Sequence, residues 1–197
     1  MVPSTNTNGS IPELHRRALD GTHGLVAGVR EGQWRDPTPC ADWDVRELVN
    51  HIVAENFWVA PMLAGKSIED VGAQFDGDVL GDDPLAAYDR SAADAAGAAD
   101  EPGAMDRPVG VSYGPVPGSV YVGHRFLDVL IHGWDLAKAT GQDTSLDPEL
   151  VQACWDLAEP EEAMLKGSGL FGPADGVPVP DGADLQTRLL ALLGRRA

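Results

Sequence analysis

The chain has 197 residues, 43% of them hydrophobic and 23% charged, which is the composition of a globular protein and sets one domain of ordinary size as the expectation. Its formal net charge of −17 argues against nucleic acid and anionic membranes as partners, because both attract basic surfaces. No apolar run approaches the ~20 residues of a membrane span, no basic-then-apolar leader opens the chain, and the two cysteines, Cys40 and Cys154, stand far apart, so a reducing cytoplasm is the expected compartment.

Residues 1–10 are polar and read as a disordered N-terminus, with residues 11–197 as a single helical domain. Leu14, Ala18, Leu25 and Val29 recur at helical spacing and predict a first helix over Ile11–Arg30. Two prolines in Asp36-Pro-Thr-Pro-Cys-Ala make that stretch a loop. Asp44-Val-Arg-Glu has the form of a capping box, so a second helix starts there and runs to about Gly65, with Pro61 as a kink or stop. Its inward stripe is Val45, Leu48, His51, Ile52 and Glu55. Ser67–Asp83 reads as a Gly- and Asp-rich connection, and Pro84–Asp100 as a third, alanine-rich helix. Glu101–Gly118, full of Gly and Pro, is either a short hairpin or an irregular loop. A fourth helix spans Ser119–Thr140 and stops at Gly141. Asp147-Pro148 starts a fifth, Gly167–Asp181 is a Pro/Gly loop, and Asp184–Leu193 closes the chain as a short helix. The class is all-α: a helix bundle with long irregular connections and a short C-terminal helix.

Chemistry concentrates in the fourth helix. Asp128 and His132 lie four residues apart in an otherwise apolar segment, so they share a face with His124 before them and Asp135 after. A buried carboxylate and imidazole need a partner. A divalent metal fits both residue types; a pair satisfied by hydrogen bonds is the other reading. His51, on the inward stripe of the second helix, is either a core histidine or a third ligand facing Asp128 and His132 across the bundle. Two nitrogens and one carboxylate would leave a coordination position open, as catalytic zinc sites do.

The neighbours divide similarly. Glu55 is a reserve ligand or base, or a salt-bridged carboxylate. His124 lies ~12 Å along the helix from His132, too far to share its metal, but it can line the mouth of a site. Arg125 is an anion clamp or a surface arginine, and Trp134 a pocket wall or core packing. Asp135 either holds a histidine in place or bonds to nearby backbone. Cys40 reads as a free buried thiol. There is no nucleophile elbow, phosphate loop or dinucleotide fingerprint.

The stretch Thr38-Pro-Cys-Ala-Asp-Trp-Asp-Val-Arg-Glu-Leu-Val-Asn-His51 resembles the second-helix entry of the DinB-like superfamily, in its actinobacterial branch related to mycothiol-dependent maleylpyruvate isomerase. His124-Arg-Phe-Leu-Asp-Val-Leu-Ile-His-Gly-Trp-Asp-Leu-Ala-Lys-Ala-Thr-Gly141 is similar to the other metal helix of that branch, and Leu189-Leu-Ala-Leu-Leu-Gly-Arg195 to its ending. The resemblance implies a four-helix up-down-down-up bundle and a divalent metal, zinc or nickel, on His51, Asp128 and His132. Relatives often carry Glu or His where this chain has Asp128. It also implies an enzyme, often a homodimer, that uses a low-molecular-weight thiol such as mycothiol as co-substrate. Transfer of that thiol to a small electrophile is the leading expectation, with His124, Arg125, Trp134 and Glu55 near the substrate. A thiol-independent isomerase, hydrolase or tailoring enzyme of secondary metabolism, or a non-catalytic metal-binding protein, are the alternatives. Arg196-Ala197 ends the chain without the extra C-terminal domain of the isomerase, which puts that enzyme's own isomerase activity in doubt here.

Overall fold

The computed structural model describes residues 9–163 and 177–196. Its contacts divide the chain into two compact units, Ser10–Thr144 and a smaller one built from Ser145 onward.

The larger unit contains four long helices: α1 (Ile11–Ala27), α2 (Val45–Leu63), α4 (Pro84–Asp100) and α5 (Gly118–Thr140), with a one-turn helix α3 (Ile68–Val71) after α2. Each long-helix start in α1, α2 and α4 is fixed by a side chain that accepts a backbone N–H of the first turn: Ser10, Asp44 and Asp83. At Asp44 the capping box is complete, Glu47 reaching back to the Asp44 amide at 2.9 Å. Ser10, placed by sequence in the disordered stretch, is therefore the cap of α1. α5 ends where Gly141 turns into the left-handed region at φ 68°.

Side-chain pairs give the helix directions. Arg16 meets Asp100 and His23 meets Asp89, so α1 and α4 are antiparallel. Thr22 donates to the Val129 carbonyl and Gln142 to that of Leu25, so α1 and α5 are parallel. His51 meets Asp128 and Glu55 meets Arg125, so α2 runs against α5. The bundle is up-down-down-up, as the resemblance implied. Its core includes Val45, Leu48, Ile52, Tyr88, Phe126 and Leu136, all fully buried. The stripe of α1 differs from the one read in sequence: Leu14, Ala18, Leu19, Thr22 and Val26 are buried, while Leu25 and Val29 are only partly covered.

Between α4 and α5 the chain forms a hairpin, β1 (Pro108–Val111) antiparallel to β2 (Gly114–Pro117), in register Val109 with Val116. This selects the hairpin from the two readings of the Gly/Pro segment. The connection after α2, read as irregular, holds α3, whose Ser67 and Asp70 form a capping box. In the smaller unit, α6 (Pro148–Ala158) and α7 (Leu185–Leu192) pack on one another, and Arg188 lies 4.5 Å over the Trp155 ring. Most of the Gly167–Asp181 loop lies outside the described residues. Both cysteines are free thiols, and no helix of the described residues is long and apolar enough to cross a membrane.

Close approach of α1 and α5 depends on Gly133, where an added Cβ would meet Thr22 Oγ1 at 2.7 Å. Gly133→Val should therefore destabilise the protein by ~1–3 kcal/mol through overpacking. A urea unfolding midpoint equal to wild type would contradict this packing. His15, in α1, is fully buried and neither ring nitrogen has a hydrogen-bond partner. Burial, then Arg125 and Arg16, push its pKa down to about 4. The unfolded chain, with an ordinary histidine, then binds more protons than the folded one between pH ~6.5 and about 4. Stability should fall across that window as pH drops, by about 3 kcal/mol in all, and His15→Leu should remove that component. Identical pH slopes for the two proteins in chemical denaturation would contradict it.

Candidate metal centre

Three side chains from two antiparallel helices meet where α2 faces α5. His51 Nε2 lies 3.6 Å from Asp128 Oδ2, and His132 Nε2 lies 3.6 Å from Asp128 Oδ1. One ligand atom from each residue falls within 4.8 Å of the others. Bonds of ~2.0–2.1 Å at tetrahedral angles separate ligand atoms by ~3.3–3.5 Å, close to the spacing seen here. Asp128 Oδ2 is buried and has no hydrogen-bond partner. That oxygen lies between His51 Nε2 and the Arg125 guanidinium, with His132 on the other carboxylate oxygen, and an orphaned carboxylate oxygen beside imidazole nitrogens is an acceptor that a cation satisfies. The donor set, two nitrogens and one oxygen, suits zinc and neighbouring divalent ions.

Charge reinforces the arrangement. Burial by itself would raise the Asp128 pKa, but Arg125, then His132 and His51, overcome it and hold the carboxyl well below the usual carboxylate range. Asp128 is thus an anion in the interior. The Arg125 guanidinium lies 3.5 Å from Asp128 Oδ2 and forms a close ion pair with Glu55. Arg125 is therefore engaged by two carboxylates, and Glu55 is a salt-bridged carboxylate.

His132 is oriented from behind. Its Nδ1 lies 3.0 Å from Asp135 Oδ2, and Asp135 is fully buried. A carboxylate oxygen accepts, so the imidazole proton sits on Nδ1 and the Nε2 lone pair faces Asp128 and His51. The Cys40 thiol donates to the same Asp135 oxygen at 3.3 Å. Cys40, His132 and Asp135 consequently form a second set of grouped ligand atoms, reached through the other ring nitrogen of His132.

The loop before α2 supplies a residue that sequence reasoning had not singled out. Thr38 Oγ1 donates to the Trp43 carbonyl at 2.8 Å and accepts the Cys40 amide at 3.1 Å, which fixes the turn. The Trp43 ring then lies 4.5 Å from the His51 ring and 5.7 Å from that of His132. Its signal was its place next to the Asp44 cap, which ties the loop to the start of α2.

Of the other residues read as substrate neighbours, His124 stands apart from the triplet, with the Tyr113 hydroxyl 3.4 Å from its ring. Trp134 is not brought to the cluster. Two residues beyond His132 it points to the far side of α5, where it is buried beneath the Lys138 ammonium at 5.4 Å.

Asp135→Asn keeps the shape of the side chain but removes the charged acceptor. It should weaken zinc binding by ~10–100-fold while the fold persists. Competition against a chromophoric chelator measures this, and unchanged affinity would contradict the role given to Asp135.

Comparison with known proteins follows this geometry. The family model described as the mycothiol maleylpyruvate isomerase N-terminal domain matches residues 15–137, a span that includes His51, Asp128, His132 and Asp135. Uncharacterized proteins from two strains of Mycobacterium tuberculosis are each 40% identical over 185 residues, covering 92% of this chain and 95% of the relative. Crystal structures of mycothiol-dependent maleylpyruvate isomerase and of a histidine-to-alanine mutant of it share the fold, each with a TM-score of 0.61. They are 16% and 14% identical, over 81% and 85% of this chain and 71% and 72% of theirs. The chain belongs to the mycothiol maleylpyruvate isomerase N-terminal domain family.

Proposed function

We propose that this protein is a metal-dependent enzyme that transfers a low-molecular-weight thiol of the mycothiol type to a small electrophile. His51, Asp128 and His132 would hold the divalent metal, zinc in preference to nickel. The observation that carries the reading is the Asp128 carboxylate, one oxygen of which is buried without a hydrogen-bond partner, with an imidazole nitrogen 3.6 Å from each of its two oxygens. The fold is shared with an enzyme whose name states that it depends on mycothiol.

A bound zinc ion with an open position would supply acidity to a thiol, so that sulfur is nucleophilic at neutral pH. The rest is the work of the chain. Asp128 provides the negative charge that retains a cation, and Arg125 keeps that carboxyl ionised. Asp135 holds the proton of His132 on Nδ1 and so leaves Nε2 as a donor atom. Trp43 covers the imidazoles on one side and limits water there. His51 is the most accessible of the three ligands, its side chain 26% exposed. Addition of the thiol to an electron-poor double bond forms the S–C bond, and the sulfur proton ends on the neighbouring carbon. No oxidant or further reactant is required.

The test is metal analysis of wild type and His132→Ala, followed by thiol consumption with a model electrophile. Wild type should bind one zinc and consume thiol in a chelator-sensitive way. His132→Ala should lose at least the ~10–100-fold in metal affinity typical of weaker perturbations, and with it the activity. Equal metal content in the two proteins, or consumption indifferent to chelator, would refute the proposal.

A further inference from the structure

A second cleft lies one helical turn from the metal triplet and is not used by the mechanism above. It occupies about 320 Å³ between α2, the β1–β2 hairpin and α5. That volume is at the lower end for small-molecule sites. Glu55, one turn after His51, and Arg125, three residues before Asp128, form its inner end. Trp58, Tyr113, Tyr121 and His124 present four aromatic rings to it, beside the apolar Met62 and Ile68.

Its charge is unusual for a site beside a buried arginine. Arg125 is the one arginine or lysine among the lining residues. Its guanidinium is already bound to Glu55 and lies 3.5 Å from Asp128 Oδ2. One positive charge therefore faces two negative ones. A substrate carboxylate entering here would have to displace Glu55 and would meet Asp128 beyond it, and like charges so placed cost several kcal/mol. A divalent cation carrying an ionised thiol adds one net positive charge and brings the sum to zero, so the cleft still holds no surplus positive charge for a carboxylate, and Glu55 still occupies Arg125. Tyr121 adds no anion: burial pushes its hydroxyl up to about 12 against the opposing pull of Arg125. What remains available is aromatic surface, for stacking or edge contacts with a flat ring.

We propose that this cleft is the electrophile subsite and that the Glu55–Arg125 pair makes it select an uncharged, ring-bearing molecule over a carboxylate. The assignment rests on the thiol-transfer reading, for which it names the class of acceptor. Glu55 and Arg125 act here as specificity-determining residues, with the hairpin residue Tyr113 as the outer wall. The selection follows from a pairing across helices, since an unpaired Arg125 in the same place would favour anions.

The experiment compares two unreactive probes, acetophenone and 4-acetylbenzoate, which differ by one carboxylate, on zinc-loaded protein in excess 2-mercaptoethanol, so that a thiolate rather than the probe fills the open zinc position. Binding is read from quenching of tryptophan fluorescence and from NMR shifts of the Tyr113 and Tyr121 rings. Wild type should bind acetophenone at least ~10-fold more tightly. Glu55→Gln releases Arg125 and should bring the carboxylate probe to equal or tighter binding. Tyr113→Ser, at an exposed hairpin position, should weaken acetophenone several-fold without altering zinc content. Equal binding of the two probes to wild type would overturn the proposal. So would a preference untouched by Glu55→Gln, or shifts that bypass Tyr113 and Tyr121. Thiol binding to the same zinc-loaded samples is measured separately. If no thiol binds there, the transfer reading fails, whereas the probe pattern judges the cleft itself.

Discussion

A carboxylate remains ionised inside a helical bundle only where positive charge or hydrogen-bond donors stand close to it. Asp128 is nearly inaccessible, and its neighbours reflect that constraint: Arg125 on one side and two imidazoles on the other. The compensation is incomplete, because one carboxylate oxygen has no hydrogen-bond partner. A fold optimised only for stability would place an apolar residue there. The retained charge makes sense as one member of a cation site, and the surrounding residues follow from it.

The bundle topology turns this local need into geometry. Because α2 and α5 run in opposite directions, His51 and Glu55 ascend as Asp128 and Arg125 descend, and two layers of polar contacts form one turn apart. The upper layer carries the ligand atoms and the lower layer the ion pair. The capping box at Asp44 fixes the start of α2, and the Thr38 turn fixes the loop before it. Trp43 and Cys40 are thereby delivered to the site from outside the helices: one against the imidazole rings, the other against Asp135. Orientation of His132 is then determined on both nitrogens, Nδ1 by Asp135 and Nε2 by the space next to Asp128.

Much of this was legible in the chain. The i, i+4 pair in an apolar helix, the Asp44–Glu47 cap and the Gly141 stop are local signals, and local signals survive folding. The one-turn α3 was equally local, with its Ser67–Asp70 box in plain view, but a four-residue helix leaves no hydrophobic period to read. Other features were hidden because they are relations between elements. Glu55 and Arg125 were each assigned separate roles, and only the antiparallel packing of α2 on α5 joins them in one ion pair. Trp43 lies in a loop, where no periodicity indicates direction, whereas Trp134 was adjacent to a ligand in sequence yet lies on the far side of the helix. The hairpin could not be chosen over an irregular loop because its strands are four residues each and rich in Gly and Pro.

The central claim is that His51, Asp128 and His132 surround one cation. Among the described residues, two candidate ligand sets share His132, and they differ in sulfur: one has none, the other includes Cys40. X-ray absorption at the zinc edge, on wild-type protein loaded with one equivalent of zinc and no added thiol, separates them directly. The account predicts a shell of nitrogen and oxygen at ~2.0–2.1 Å with imidazole scattering from two histidines. A zinc–sulfur distance of ~2.3 Å, or scattering from a single imidazole, would contradict it.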